Sequence, residues 1–161
     1  MNNISLIIPI FNEEKNISIL YNEIEKTSVF FKLKEIIFID DFSNDKSNAE
    51  IQKLLKKNKK IKLFSHDTNR GQSACLLTGA KNSASDILIT MDADCQNNPN
   101  DIEKLLSVYL SSGSIKLVGG IRRSRKDSLI KKISSKLANS IRKFYLDDDC
   151  DDTGCSLKIF D

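Results

Sequence analysis

Two aspartates spaced by one residue, Asp92 and Asp94, follow the apolar run Ile87–Met91. The run has the composition of a buried strand, and in an extended backbone residues i and i+2 point to the same side. The two carboxylates would therefore face one ligand together, and their mutual repulsion favours a cation between them. A hard divalent ion such as Mg²⁺ takes oxygen ligands and commonly keeps substrate phosphates in its shell. The alternative is a solvated turn after a strand, which the triplet taken alone favours.

Two more clusters of polar side chains follow apolar runs earlier in the chain. The run Ile4–Ile10 precedes residues 12–14 (Asn-Glu-Glu), and the run Glu35–Ile39 precedes the acid pair Asp40-Asp41. Ligands of parallel α/β sheets bind beyond the carboxyl ends of the strands, so all three clusters would meet at one edge of the sheet. For the acid pair the alternative is a turn that caps the following helix.

Apolar runs alternate with helix-period patterns along the whole chain. Strands are predicted at Ile4–Ile10, Glu35–Ile39, Ile61–Ser65, Asp86–Met91, Ile115–Ile121 and Cys155–Phe160. Helices are predicted at Glu13–Phe31, Lys46–Lys57, Gly71–Ser83, Pro99–Ser111 and Ser128–Tyr145. This alternation predicts a single α/β domain over residues 1–161, with a mainly parallel sheet flanked by helices. The sequence has no glycine-rich dinucleotide loop after the first strand and no Walker loop.

The composition fits one globular domain of 161 residues, 40% hydrophobic and 29% charged. No apolar stretch approaches the ~20 residues that cross a bilayer. The four cysteines fit reduced thiols, and with His66 as the one histidine a zinc site is not expected. We therefore expect a cytoplasmic protein.

The net charge of +3 conceals a local asymmetry. From Lys116 to Lys143 there are ten basic residues and one acid, whereas five of the nine residues from Leu146 to Gly154 are Asp. Such a split predicts a surface that meets an anion or a membrane beside an acidic cleft, with a solvated helix face as the alternative. A nucleic-acid partner is disfavoured, because the acids would lie in the same cleft.

Five segments, taken in order, resemble the successive signatures of family-2 glycosyltransferases: Ile8–Glu14, Ile39–Asp45, Asn69–Ala74, Met91–Gln96 and Asp152–Cys155. Each segment alone is weakly specific, whereas five in order across nearly the whole chain are strongly so. The chain looks most like the branch that contains dolichol-phosphate mannosyltransferase and bacterial undecaprenyl-phosphate sugar transferases. The resemblance implies a GT-A fold, a nucleoside-diphosphate-sugar donor, Mg²⁺ or Mn²⁺, inversion at the anomeric carbon and a role in cell envelope glycan biosynthesis.

The resemblance also assigns residues to the donor and to the metal. Nucleotide-sugar binding is expected of residues at the strand ends and the following loops: Pro9, Asn12, Glu14, Asp40, Asp41, Gly71, Asp92 and Ala93. Asp94 and Gln96 would hold the metal on the diphosphate, and Asp92 would face the ribose or the metal. The metal would screen the negative leaving group as the sugar–phosphate bond breaks.

By the same resemblance, the acceptor is a polyprenyl phosphate at the inner face of the membrane. Arg122 and Arg125 would grip its phosphate, since the guanidinium fork suits phosphate oxygens. Asp152 stands where the family places its base, and the alternative is a loop acid that orients a Lys or Arg. The predicted helix Ser128–Tyr145 has an apolar stripe among basic residues, which favours core packing over binding to a membrane surface.

Departures from the family pattern define the alternatives. Phe42 stands where Gly is common and would narrow the nucleotide pocket, and Cys95 stands where Leu is common. Family members continue beyond residue 161, so we expect a shortened domain or a fragment without membrane helices, one that would work with a membrane-protein partner or as a homo-oligomer. A non-catalytic protein that binds sugar nucleotides is the second hypothesis. A phospho-acceptor receiver domain is the third, but its acid pair follows the first strand, not the second.

Overall fold

The computed structural model describes residues 3–121 and 154–161. Within these residues the strands are β1 (Ile4–Ile10), β2 (Leu33–Asp40), β3 (Ile61–Ser65), β4 (Ile87–Thr90), β5 (Leu117–Gly119) and β6 (Lys158–Phe160). The α-helices of the same part are α1 (Ile17–Glu25), α2 (Ser47–Lys57), α3 (Gln72–Lys81) and α4 (Asp101–Leu110), with a 3₁₀ turn at Ser28–Phe31. The predicted helix Ser128–Tyr145 lies outside the described residues.

The strands form one sheet in the order β3-β2-β1-β4-β6-β5. β1 pairs in parallel with β2 and β4, and β2 pairs in parallel with β3. β6 runs antiparallel to both β4 and β5. The prediction of a mainly parallel sheet flanked by helices is therefore confirmed, and β1, at its centre, brings the loops after β2 and β4 to either side of its own carboxyl end.

The core lies on both faces of this sheet. β1 and β2 are buried along almost their whole length, as expected of strands covered on both sides. One face packs against α1, α2 and α4, whose buried residues join the larger apolar cluster. The other face packs against α3, with Cys75 fully buried among Ile7, Ile37 and Leu88. Helices on both faces leave the carboxyl ends of the strands as the open edge.

The predicted helix Glu13–Phe31 is divided in the structure. α1 ends at Glu25, where the Thr27 hydroxyl donates to the carbonyl of Ile24 and accepts from the Phe30 N–H, which starts the 3₁₀ turn. At the other end Glu13 belongs to a loop, because its N–H donates to Ser47 Oγ at 2.8 Å. The apolar periodicity of the sequence continues through the loop, α1 and the 3₁₀ turn, so it does not show where the helix begins and ends.

Gly79 lies on the face of α3 that packs against β1. A Cβ at this position would be 2.4 Å from Cγ2 of Ile7, which is fully buried and branched at Cβ. We expect Gly79→Ala to lower the free energy of unfolding by about 2 kcal/mol, because overpacking a dense core outweighs the better helix propensity of Ala. Urea denaturation measures the effect. Gly113→Ala is the matched control, since its Cβ meets nothing within 4 Å; equal effects of the two changes would refute the packing argument.

Glu35 is a buried carboxylate at the amino-terminal end of β2. It accepts hydrogen bonds from Ser5 Oγ at 2.6 Å and Ala84 N at 2.7 Å, and pairs with Lys62 Nζ at 2.5 Å. Burial alone would raise the pKa of Glu35, but the Ala84, Lys62 and Ser5 contacts together outweigh burial and lower the pKa below its ordinary value of 4.5. A carboxylate with a depressed pKa stabilises the fold above that ordinary value and loses this contribution as the pH falls through the folded pKa.

We therefore expect Glu35→Gln to be less stable than the wild type at neutral pH, and the difference to shrink below the ordinary Glu pKa of 4.5. Urea denaturation at several pH values from neutral to acid measures it. A difference that stays constant through the acid range would show that charge does not contribute.

Candidate functional site

A pocket of about 200 Å³ opens at the carboxyl edge of the sheet, between the ends of β1, β2 and β4. Five of the residues that the sequence assigns to the donor and metal line this pocket together: Pro9, Asp41, Asp92, Ala93 and Asp94. The remaining lining residues come from the end of β1 and from α3: Ile10, Phe11, Glu13, Gln72 and Cys75. The structure therefore brings these five residues to one pocket at the carboxyl edge of the sheet, and their roles there stay predictions.

Asp92 and Asp94 face the same pocket on the loop that follows β4. Asp92 Oδ1 accepts a hydrogen bond from Gln72 Nε2 at 2.6 Å, and its backbone N–H donates to Ser156 Oγ at 3.3 Å. Asp94 Oδ1 accepts from the Gln96 N–H at 3.1 Å, which tightens the loop. Two half-buried carboxylates held by hydrogen bonds beside an open pocket are an oxygen donor set that fits a hard divalent cation such as Mg²⁺ or Mn²⁺.

Gln96 does not line this pocket. Its side chain is exposed and lines two neighbouring pockets, one of them with Asn97 and Asn98 against α4 and Gly120. The larger of these cavities has a volume of about 520 Å³. The structure thus brings Asp92 and Asp94 together and leaves the Gln96 side chain in the adjoining space, so its role as a metal ligand stays a prediction.

Asp41 is buried at the wall of the pocket and is held by three donors. Its Oδ1 accepts from His66 Nδ1 at 2.7 Å and from the Arg70 N–H at 2.9 Å, and its Oδ2 accepts from the Gly71 N–H at 2.7 Å. Burial alone would raise the pKa of Asp41, but the hydrogen bonds from Arg70, His66 and Gly71 together lower it. Through the Arg70 and Gly71 N–H groups, the Asp41 carboxylate therefore links the end of β2 to the start of α3 by hydrogen bonds.

Asp40 points elsewhere. Its Oδ1 accepts from the Ser43 N–H and its Oδ2 from Asn48 Nδ2, both at 3.1 Å, and it does not line the pocket. Asp40 thus holds the turn before α2 and a side chain of its first turn, whereas the N–H of Ser47, which begins α2, donates to Asp45 Oδ1 at 2.8 Å. The acid pair thus divides between two places, because consecutive side chains at a strand end point to opposite sides.

Asn12 and Glu14 bind the loop between β2 and α2. Asn12 donates its N–H to Ser43 Oγ at 3.0 Å, and its Oδ1 accepts from the Asn44 N–H at 2.9 Å. Glu14 Oε2 accepts from the Lys46 N–H at 3.0 Å. Neither side chain lines the pocket between β1, β2 and β4. Their contacts fix the loops on one side of it, and direct contact with a nucleotide stays a prediction.

Several residues at the open edge have a left-handed backbone. Phe42 has φ 64°, a conformation in which Gly avoids the steric cost of a Cβ, which explains why Gly is common at this place in the family. Its side chain is 56% exposed and lies outside the pocket lining, so the expectation that it narrows this pocket is wrong. Gly71 has φ 84°, which allows its N–H to point at Asp41.

Sequence reasoning missed four residues of the site: His66, Gln72, Cys75 and Ser156. His66 carried a signal, because it follows the predicted strand Ile61–Ser65 as the acids follow theirs. Gln72 and Cys75 reach the site because α3 packs against the sheet, and Ser156 because β6 pairs with β4. The predicted acceptor and base residues Arg122, Arg125 and Asp152 lie outside the described residues.

Comparisons with known proteins agree with this geometry. Residues 5–161 match the family described as Glycosyl transferase family 2. The chain is 35% identical, over 98% of its length, to an undecaprenyl-phosphate 4-deoxy-4-formamido-L-arabinose transferase of Pectobacterium atrosepticum. It is 32% identical, again over 98%, to a dodecaprenyl-phosphate galacturonate synthase of Rhizobium johnstonii. It covers 48% and 47% of these two proteins, so it spans about half the length of the relatives it matches.

Solved structures show the same fold. Glucosyl-3-phosphoglycerate synthase of Mycobacterium tuberculosis in complex with uridine-diphosphate superposes with a TM-score of 0.76 at 19% identity, covering 99% of this chain and 56% of that one. A mannosyltransferase of Pyrobaculum calidifontis in complex with GDP-Man and Mn²⁺ superposes with a TM-score of 0.66 at 20% identity. This match covers 75% of this chain and 36% of that one. The expected GT-A fold is confirmed. In the part of the chain that the structure describes, no helix is long and apolar enough to cross a membrane.

Proposed function

Because this chain belongs to glycosyl transferase family 2, we propose that it transfers a sugar from a nucleoside-diphosphate sugar to a polyprenyl phosphate, with inversion. The observation that carries the donor half is the convergence of Asp41, Asp92 and Asp94 on one pocket at the carboxyl edge of the sheet. The acceptor half is supported by relatives whose names specify undecaprenyl and dodecaprenyl phosphate.

The carboxylates of Asp92 and Asp94 would hold a divalent cation, Mg²⁺ or Mn²⁺, on the donor diphosphate. When bound, this cation neutralises the charge that develops on the nucleoside diphosphate as the sugar leaves. Gln72 holds Asp92 through its 2.6 Å hydrogen bond, so the carboxylate is oriented before the donor arrives. Pro9 and Asp41 form the opposite wall, against which we place the nucleotide.

At the acceptor end, Arg122 and Arg125 would bind the lipid phosphate. A phosphate monoester is already largely ionised near neutral pH, so its attacking oxygen makes little demand on a base. Asp152 is our proposal for the base that completes its deprotonation. Because the acceptor is lipid-linked, we place the protein at the cytoplasmic face of the membrane. There it would bind a membrane-protein partner or a second copy of the chain.

Calorimetric titration with UDP and GDP, each with and without Mn²⁺, tests the donor half. We expect one of the two nucleotides to bind with an affinity that falls at least tenfold when EDTA removes the cation. The acceptor half is tested by incubating the corresponding nucleotide sugar with polyprenyl phosphate in detergent and measuring the glycosylated lipid. If no nucleotide binds in the presence of Mn²⁺, the proposal is wrong. Binding without lipid glycosylation would favour the non-catalytic, sugar-nucleotide-binding hypothesis.

A further inference from the structure

Three side chains of different chemistry meet beside the pocket: Asp41 from the end of β2, His66 from the end of β3 and Cys75 from α3. Their potential ligand atoms all lie within 4.8 Å of one another. His66 Nδ1 is 2.7 Å from Asp41 Oδ1 and 3.9 Å from Cys75 Sγ. The side chains of His66 and Asp41 are 7% and 5% exposed, and Cys75 is fully buried. Carboxylate, imidazole and thiol together are a ligand set that thiophilic cations bind.

The spacing is close to that of a tetrahedral zinc site. With Zn–N and Zn–O bonds of about 2.0 Å and a Zn–S bond of about 2.3 Å, the nitrogen would lie about 3.3 Å from the oxygen and about 3.6 Å from the sulfur. The distances in the structure are 2.7 Å and 3.9 Å, so the nitrogen–oxygen distance would have to widen by about 0.6 Å and the nitrogen–sulfur distance to shorten by about 0.3 Å. Small side-chain rotations would therefore open the space between the three atoms to a cation.

The partners that orient metal ligands are also in place. A ligating histidine normally hydrogen-bonds through its other ring nitrogen, and a ligating carboxylate is itself hydrogen-bonded. His66 Nε2 is 2.9 Å from Thr78 Oγ1. Asp41 keeps the N–H donors of Gly71 at 2.7 Å and Arg70 at 2.9 Å. A cation would thus replace the contacts that Asp41, His66 and Cys75 make with one another and leave these outer contacts intact.

We propose that Asp41, His66 and Cys75 form a binding site for a thiophilic divalent cation such as Zn²⁺, separate from the carboxylate site at Asp92 and Asp94. One carboxylate and one thiolate balance the charge of the cation, so the occupied site is neutral, as its burial requires. Mg²⁺ prefers oxygen ligands and is not expected to compete here. The fourth position of the cation faces the pocket, which Asp41 and Cys75 both line.

Binding displaces protons. Burial, reinforced by the charge of Asp41, raises the pKa of the Cys75 thiol to about 12, so the thiol is protonated before the cation arrives. On binding, the S–H bond breaks, the sulfur keeps its electron pair for the cation and the proton goes to solvent. In the structure His66 Nδ1 donates its proton to Asp41 Oδ1. On binding, that proton must leave Nδ1 so that its lone pair can reach the cation, and the imidazole then keeps a proton on Nε2, where Thr78 Oγ1 can accept it. At least one proton is therefore released for each cation bound.

Titration of the full chain with Cd²⁺, in metal-free buffer with a reductant, tests the site through the ultraviolet charge-transfer band of a cadmium–thiolate bond. We expect a saturable band from the wild type that Zn²⁺ removes and that a hundredfold excess of Mg²⁺ leaves unchanged. Cys75→Ser and Cys75→Ala should both abolish the band, and His66→Asn should weaken Cd²⁺ binding at least tenfold. Cys95→Ser is the matched control, since its partly buried thiol donates to the backbone carbonyls of Asn16 and Ala93 and belongs to no such cluster within the described residues.

The proposal is overturned if the wild type gives no band, or if the band survives both substitutions of Cys75, because the thiolate would then belong to another cysteine. Proton release by the wild type in weak buffer needs no variant: at least one proton per Cd²⁺ is expected, and none contradicts the scheme. Asp94→Ala should keep the Cd²⁺ band. This outcome distinguishes the site from the cation site at Asp92 and Asp94; Asp41 also lines the pocket used in the proposed function.

Discussion

Asp94→Ala is expected to weaken Mn²⁺-dependent nucleotide binding by about 100-fold, which corresponds to about 2.7 kcal/mol. Asp94 is one of two carboxylates that face the pocket from the loop after β4. Without it Asp92 is left to hold the cation, and its Oδ1 already accepts a hydrogen bond from Gln72. Binding in the absence of Mn²⁺ should change little, because the substitution removes a cation ligand and leaves the pocket walls.

Calorimetric titration of the wild type, Asp94→Ala and Asp94→Asn with UDP and GDP measures the effect, with circular dichroism to confirm folding. Asp94→Asn keeps the volume and one oxygen but not the charge, so we expect it to fall between the other two. Asp67→Ala is the matched control, since this carboxylate is 77% exposed and lies outside the pocket. Mn²⁺-dependent binding that Asp94→Ala leaves within threefold of the wild type would exclude this residue as a cation ligand.

Asp41→Ala is expected to lower the free energy of unfolding by about 3 kcal/mol or more, since a buried donor left without an acceptor costs about 1–3 kcal/mol. Three donors lose their acceptor together: the His66 ring and the backbone N–H groups of Arg70 and Gly71. Asp41→Asn retains one acceptor oxygen, so its loss should be smaller. Urea denaturation of the wild type, Asp41→Ala and Asp41→Asn measures the effect. A loss of unfolding free energy below about 1 kcal/mol in Asp41→Ala would contradict the stabilising role of this carboxylate.

The same variant has an expected dependence on pH. Burial alone would raise the pKa of Asp41, but the bonds from Arg70, His66 and Gly71 lower it below the ordinary value of 3.8. The stabilisation is therefore present above pH 3.8 and lost as the pH falls through the folded pKa. Denaturation at neutral and at acid pH should show the difference between wild type and Asp41→Ala shrinking towards acid. The exposed Asp67→Ala should change stability by less than about 0.5 kcal/mol at neutral pH.

The sequence located two strands with the bounds that the structure has, one central and buried and the other a half-buried edge strand. Ile4–Ile10 and Ile61–Ser65 coincide with β1 and β3. The helix predicted at Glu13–Phe31 was too long, because the side chains that end it, Ser47 and Thr27, act through hydrogen bonds that leave no trace in apolar periodicity. Likewise the predicted strand Cys155–Phe160 is shortened to β6, since Ser156 accepts hydrogen bonds from the loop after β4.

The sequence by itself determined the family and the class of fold. Both rest on local order, which is motifs in succession and alternating apolar runs. It also singled out Asp92 and Asp94, but the two-residue repeat of an extended backbone does not place them, because β4 ends at Thr90 and both lie on the loop beyond it. Only the tertiary structure decided that Asp41 lines the pocket while Asp40 binds Ser43 and Asn48, since strand periodicity does not show which side of the strand end faces a pocket. It alone brought His66 and Cys75 to Asp41, because those contacts depend on how β3 and α3 pack against β2. Packing brings together residues that are far apart along the chain, and a local sequence pattern does not show which of them will be in contact.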